Sequence, residues 1–440
     1  MEGEIIMNTE KLYNITENVL SQLRDGGAEI AYCTARMSET VEFNVDGGEF
    51  SLLRTLFDNG LSMTAVKGGK KGSVGSNSFE EASVHATVES CLAAADSSEA
   101  DEHWGIADNQ GEKCFENGAL TPDMNGLFDR TKELLQTIGE KYPLIVIEQM
   151  IISHTKSHSV YRNSNGTVFN SKGGNYSVSL MFSGHEGEVS SSFFSSGVVT
   201  DNLDKPFIEL GSIAQDLADT EKQIRTIACE GKYTGTMLLS PGCLCEFIDS
   251  IAENFASDTT LLDGTSIWKD KLGEQVADPR ITISFCPKSP LVCLGENYTG
   301  EGFISEDFDF IRDGKLESFF ASYYISRKTG VPRAKNNSGN MIIKAGEKSV
   351  ADIIKGIDRG ILVGRFSGGA PGINGDFSGV AKNSFLIEKG EIIGAASETM
   401  ISGNLATMLN SLVDISSETV ADGISVLPYA AFDGITISGK

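Results

Sequence analysis

A chain of 440 residues is too long for one ordinary hydrophobic core, so two or three domains are expected. Its 40% hydrophobic and 22% charged content is that of a soluble globular protein. The formal net charge of -25 argues against direct nucleic-acid binding, because such binding draws its affinity from Lys and Arg neutralising phosphates. One basic cluster, Lys67, Lys70 and Lys71, sits in a Gly-rich stretch and reads as a solvated hairpin tip.

Met1 to Asn14 carries Glu2, Glu4 and Glu10 and has no apolar run of signal-peptide length. No later stretch approaches the ~20 apolar residues that cross a bilayer. Eight irregularly spaced cysteines do not form a disulfide framework, so the cytoplasm is the expected compartment.

Leu12, Ile15, Val19, Leu20 and Leu23 recur near helical spacing, which predicts a helix over 9–25 with Gly26–Gly27 as its stop. Strands are expected at 29–36, 40–45, 50–57 and 61–67, with turns at Asp46-Gly47-Gly48 and Asn59-Gly60. Ser78 is placed to cap a helix over 79–96. Residues 97–122 are polar and acidic and read as a linker.

The order then recurs, with a helix over 124–141, strands from Leu144 to about Thr200, and a helix over 207–229. Turns are expected at Asn163–Gly166 and at Ser171-Lys172-Gly173-Gly174. From Tyr233 onward short strands and Gly-rich turns dominate. Two helices interrupt them, one over 243–256 behind Pro241 and one over 349–358. The expected fold class is α+β. It comprises an N-terminal unit at 1–100, a linker at 101–122, a central unit at 123–232 whose order of elements reads as a duplication of the first, and a β-rich domain at 233–440.

All five histidines lie at or before position 185: His85, His103, His154, His158 and His185. The last cysteine is Cys293. Catalytic zinc almost always takes at least one imidazole, so the β-rich domain lacks the donors for it. His154 and His158 fall in a strand, where they share a face but stand about 13 Å apart at ~3.3 Å per residue, too far for one ion. They read as solvent-facing. His185-Glu186-Gly187-Glu188 lacks a second histidine and reads as a turn. Cys243 and Cys245 flank a helix start, where a thiol pKa can fall, but read as packing residues. Glu306 and Asp307 form a carboxylate pair that reads as solvated surface.

The segments LLSPGCLCEFIDSIAENF, GTSIWKDKLGEQVADPRITI, TGEGFISEDFDFIRDGKLESFFASYYISRKTG and SGGAPGINGDFSGVAKNSFLIEKGEIIGAASETMISGNLATML, with the terminal ISGK, resemble the C-terminal domain of the TldD/PmbA family. That family holds metallopeptidases also labelled modulators of DNA gyrase. The resemblance covers roughly 233–440; the earlier units agree in layout only. Where active members carry His-Glu-x-x-x-His, the resemblance places Asp249, Ser250 and Asn254. The family's late cysteine ligand is absent too. Where the family often shows Phe-Asp-Asp-Glu-Gly, this chain has Asn297-Tyr298-Thr299-Gly300-Glu301-Gly302, so a role for those acids does not carry over.

The resemblance is to the PmbA (TldE) branch. It implies a pseudo-enzyme subunit with no catalytic residue, no metal and no cofactor of its own. Zinc is expected only in a TldD-type partner subunit, with unfolded peptide as substrate for peptide maturation, a homo- or heterodimer, and neither nucleic acid nor membrane as partner. Asn374, Gly375, Asp376 and Phe377, with Ser402, Gly403 and Asn404, are Gly/Asn turns and the candidates for peptide contact. Two alternatives stay open: a stand-alone hydrolase using Asp249, Glu253 or Glu306, and a homodimeric binding protein.

Overall fold

The first helix, α1 (Thr9–Asp25), buries Leu12, Val19, Leu20 and Leu23, as the apolar spacing dictates. A computed structural model describes residues 9–439; Glu2, Glu4 and the rest of 1–8, with Lys440, lie outside the described residues. The helix ends at Gly27, whose φ of +92° suits a residue without Cβ.

The chain continues through β1 (Ile30–Asp46), β2 (Glu49–Lys67), β3 (Lys70–Ser76) and α2 (Glu81–Ser97). There follow β4 (Glu112–Gly118), α3 (Met124–Lys141), β5 (Ile145–Asn163), β6 (Val168–Glu186), β7 (Val189–Ser190), β8 (Phe194–Thr200) and α4 (Ile213–Lys222). These strands make one sheet in the order β3-β2-β1-β5-β6-β4, with β7 and β8 also on β6. The two similar runs of elements meet where β1 pairs with β5, from Tyr32↔Asn163 to Asp46↔Gln149. α1 and α2 cover the first three strands, while α3 and α4 cover β5, β6 and β8.

Several local expectations yield to strand pairing. Asn59-Gly60 makes no turn: both residues pair with Met37 and Arg36 inside the continuous β1–β2 ladder. Ser171–Gly174 is likewise extended, paired with β5 on one side and β4 on the other. Gly174 serves close approach, since a Cβ there would lie 1.9 Å from the Ala119 carbonyl oxygen, whereas one on Gly173 would meet only Ser157 Oγ at 3.6 Å. Within the acidic stretch read as a linker, β4 pairs parallel with β6. The helix expected over 207–229 is confined to a 3₁₀ turn at Phe207–Glu209 and α4, and Thr226–Ala228 is strand β9. Ser78 accepts from Glu80 N at 3.2 Å but does not cap α2, whose N-cap position is Glu80. The lysine cluster is a hairpin turn, with Lys71 lying over the Trp104 ring.

The remaining elements are β10 (Lys232–Leu239), α5 (Pro241–Ala256), α6 (Asp258–Leu262), β11 (Ile283–Phe285), β12 (Phe308–Arg312), β13 (Lys315–Leu316), α7 (Tyr323–Thr329), β14 (Met341–Ile343), α8 (Val350–Lys355), β15 (Arg359–Val363), β16 (Arg365–Gly368), β17 (Asp376–Lys382), β18 (Phe385–Glu388), β19 (Glu391–Ser397), β20 (Thr399–Asn404), α9 (Leu405–Asn410), β21 (Leu412–Ala421) and β22 (Val426–Ser438). Together with β9 they form a second large mixed sheet in which β22 pairs with β10, β14, β20 and β21. The architecture is α+β, as the sequence suggests. No helix among the described residues is long and apolar enough to cross a membrane.

The two sheets are joined through side chains. Tyr298, in the Asn297–Gly302 loop, packs on Phe169 and Tyr161 at 4.6 and 5.4 Å. Trp104 stacks on Tyr324 at 3.8 Å, and Asp101 accepts from Lys328 and from the Tyr324 hydroxyl at 2.6 and 2.8 Å. The Lys328 ammonium holds the Asp101 carboxyl well below the usual carboxylate range.

His154 and His158 are buried, not solvent-facing. The β5 pleat turns both toward the helix-covered face. There His154 Nε2 donates to the Ala119 carbonyl and His158 Nε2 donates to Asn170 Oδ1, each at 2.7 Å. Burial lowers both pKa values from 6.5 and keeps the rings neutral.

Gly174→Ala should cost ~2 kcal/mol or more in urea unfolding, because backbone must move, whereas Gly173→Ala should cost far less. In the unfolded chain His154 and His158 protonate near 6.5 while the folded rings resist. Their contribution is therefore complete above that pH and is lost as pH falls below it. A His154→Gln/His158→Gln variant should lose less unfolding free energy between pH 7 and pH 5 than the parent; an equal or larger loss refutes the assignment.

Candidate functional site

Pro241 opens α5 at a position where its missing N–H is not needed by the helix. Cys243, Leu244, Phe247, Ile248, Ile251 and Phe255 are buried against the second sheet. At ~1.5–3 kcal/mol for each large apolar side chain, this burial sets the helix's rotation. The same period turns Glu246, Asp249, Ser250, Glu253 and Asn254 toward the surface.

A groove of about 350 Å³ runs along this face. Glu246, Phe247 and Ser250 line one side, and the segment 366–371, Phe377 and Leu405 line the other. Phe247, Phe366 and Phe377 meet edge-to-face at 5.1 to 5.9 Å and give the groove an aromatic floor.

Asp249, Ser250 and Asn254, the three residues expected at the metal-motif positions, are all on this helix, but their polar atoms serve the helix itself. Ser250 Oγ donates to the Glu246 carbonyl at 2.9 Å, and Asn254 Nδ2 donates to the Ser250 carbonyl at 2.8 Å. Asp249 Oδ2 accepts from the Cys245 thiol at 3.8 Å. Burial raises the Asp249 carboxyl above its ordinary pKa. Burial also raises Glu246, against the partial relief of Arg365, even though one side of that residue faces solvent.

Neither thiol is activated. Burial, then the Asp249 charge, pushes Cys245 up to about 12, and burial pushes the enclosed Cys243 up as well. A protonated thiol, a hydroxyl, a neutral amide and one carboxylate do not make a zinc donor set, which needs thiolate or imidazole. Among the described residues no three His, Cys, Asp or Glu side chains converge as ligands.

The two candidate peptide-contact segments, far apart in sequence, are brought together. β17 and β20 pair Asp376 with Asn404, Phe377 with Gly403 and Ser378 with Ser402. Asn404 is the hub: its Oδ1 caps α9 by accepting from Ala406 N and Thr407 N, each at 3.1 Å. Its Nδ2 donates to the Asn374 carbonyl and to Asp376 Oδ1, at 2.8 and 2.9 Å. Asn374 Nδ2 donates to the other Asp376 oxygen at 2.7 Å, and these amides, Asn404 first, hold the Asp376 carboxyl below its usual range. Gly375 takes φ +87° close against Phe255, and Gly403 lies against the Phe377 ring. Of these seven residues only Phe377 lines the groove.

Of the carboxylates weighed for a stand-alone hydrolase, Asp249 and Glu253 lie one turn apart on α5, whereas Glu306 is elsewhere and pairs with Lys335 at 3.5 Å; none of the three lines the groove. Asp307, beside Glu306, accepts from Lys288 N at 3.0 Å. Glu246, Phe366 and Leu405 were not singled out from sequence. Helical spacing to Ser250 could have found Glu246; only the sheet pairing places Phe366 and Leu405 beside it.

The fold is a two-sheet α+β architecture with α5 packed on the second sheet. Residues 230–439 match the PmbA/TldA metallopeptidase C-terminal domain. A PmbA metalloprotease homolog of Buchnera aphidicola is 26% identical over 86% of this chain and 84% of its own. The fold is also that of a candidate modulator of DNA gyrase from Bacteroides thetaiotaomicron, at TM-score 0.83 and 21% identity over 99% of this chain and all of the other. TldE from Thermococcus kodakarensis superposes at TM-score 0.81 and 20% identity over 97% of this chain and all of its own. Residues 230–439 thus carry the C-terminal domain of the TldD/PmbA family.

Because Asn404 both caps α9 and fixes Asp376, Asn404→Ala should cost about 1–2 kcal/mol of stability in urea unfolding. It should also raise the Asp376 pKa toward the ordinary carboxylate value, followed by NMR titration. An unchanged Asp376 titration would mean the amide does not hold it.

Proposed function

We propose that this chain is the zinc-free, non-cleaving subunit of a TldD/PmbA-type peptidase, holding unfolded peptide for a zinc-bearing TldD-type partner. The observation that carries the reading is the outer face of α5. The positions where active relatives are expected to present two imidazoles and a general base hold Asp249, Ser250 and Asn254, and two of these are tied to the helix backbone. The aromatic-floored groove beside them suits apolar peptide side chains, and the unpaired edge of a peptide strand can use the adjoining Gly-rich segment 367–371. Eight free cysteines accord with a reducing compartment such as the cytoplasm.

A second reading, a stand-alone carboxylate hydrolase, draws on the raised pKa values of Asp249 and Glu246, since a shifted acid beside a groove is a common catalytic arrangement. Metal analysis and cleavage of an unfolded peptide, run with the chain alone and with a TldD-type protein of the same cell, separate the two. The expected result is zinc well below one per chain, no turnover alone, and turnover in the mixture. Stoichiometric zinc on the lone chain overturns the proposal. So does metal-independent turnover that Asp249→Asn abolishes, and that outcome would establish the hydrolase.

A further inference from the structure

The first sheet has a second face, opposite α1 and α2. Ala31, Cys33, Met63 and Ala65 point into the core beneath those helices. The strand period of two therefore turns Ile30, Tyr32, Thr64 and Val66 the other way, and pairing with Val66 puts Lys71 on the same face. Trp104, Asp258 of α6, Glu301 and Tyr324 of α7 close over these residues. The cavity between them is about 320 Å³, at the lower end of small-molecule sites, and shares no residue with the groove along α5.

Two opposite charges in it are unmatched. Lys71 Nζ lies over the Trp104 ring at 4.4 Å, and among the described residues it has no ion pair or hydrogen bond. The Glu301 carboxylate has none either. The neighbouring cations are committed elsewhere: Lys328 to Asp101, Arg327 to the Glu102 and Trp104 carbonyls, and Arg333 to the Ala334 carbonyl. Neither the ammonium nor the carboxylate is closed off, so both can be reached from the cavity. Burial lowers the Lys71 pKa from 10.5, against the opposing charge of Glu301. The ammonium has thus lost part of its water without gaining an anionic partner, which is a cost that a ligand can relieve.

We propose that this cavity binds a free apolar α-amino acid as its zwitterion. The ligand carboxylate accepts from the Lys71 ammonium, the ligand ammonium donates to Glu301, and the side chain lies against the aromatic wall of Tyr32, Trp104 and Tyr324. An acid lacking the amine would leave Glu301 unmatched and would also face Asp258, one of whose oxygens already accepts from Ser322 N at 2.8 Å. An amine lacking the acid would leave Lys71 unmatched. The site is separate from α5, and the proposal does not depend on whether the chain takes part in peptide cleavage.

The probe is L-phenylalanine, titrated into the full chain by calorimetry and by tryptophan fluorescence. Of the two tryptophans Trp268 is sealed in the C-terminal core, so a change in emission reports on Trp104. Saturable binding with such a change is expected, at least about tenfold tighter than for N-acetyl-L-phenylalanine or L-phenylalaninamide. Lys71→Gln should remove the preference over the amide, and Glu301→Gln the preference over the N-acetyl compound. Thermal melts establish that each variant is folded. No saturable binding to the parent, equal affinity for the three compounds, or undiminished binding of L-phenylalanine in both variants overturns the assignment.

Discussion

The C-terminal half depends on β22 pairing with several strands at once. Along its length it bonds to β10, β20 and β21, and at Val426 to β14. Leu427, Ala430, Ala431, Phe432, Ile435 and Ile437 are all nearly inaccessible on it. With backbone groups paired on both edges and side chains enclosed, this strand cannot shift register by one residue without turning its apolar set outward. α5 packs on that fixed surface, so its rotation is fixed as well.

This constraint explains why the candidate site is defined by what the helix presents. Eight residues of α5 are buried, leaving Cys245, Glu246, Asp249, Ser250, Glu253 and Asn254 as the polar side chains toward the surface. The groove borrows its far wall from β16, β17 and α9, elements more than a hundred residues later in the chain. Their own geometry is held by the Asn404–Asp376–Asn374 network and by glycines that let Phe255 and Phe377 approach. On α5 itself, Ser250 and Asn254 spend their polar atoms on the helix's own carbonyls.

The N-terminal half shows where local signals were enough and where they were not. The helical period of 9–25, the stop at Gly26–Gly27 and the helix over 124–141 follow from spacing alone, because an amphipathic stripe needs only one apolar surface to pack on. Asn59-Gly60 and Gly173-Gly174 carry the usual composition of turns, yet a ladder paired along nearly its whole length outweighs turn preference at two residues. The histidines at 154 and 158 were placed on one strand face correctly, but which face the helices cover was not legible from the alternation of Ser and Thr around them.

By itself the sequence determined the α+β character, the helix carrying Asp249, Ser250 and Asn254, and the lack of any histidine after position 185, because composition and short-range periodicity act within a few residues. Only the tertiary structure decided that both N-terminal runs share one sheet, that Asn374–Phe377 and Ser402–Asn404 lie side by side, and that the Asn383 amide ends unpaired between β17 and β18. Those outcomes rest on strand pairing and desolvation between residues distant in sequence, and no local pattern encodes which partner a strand edge or a buried amide will meet.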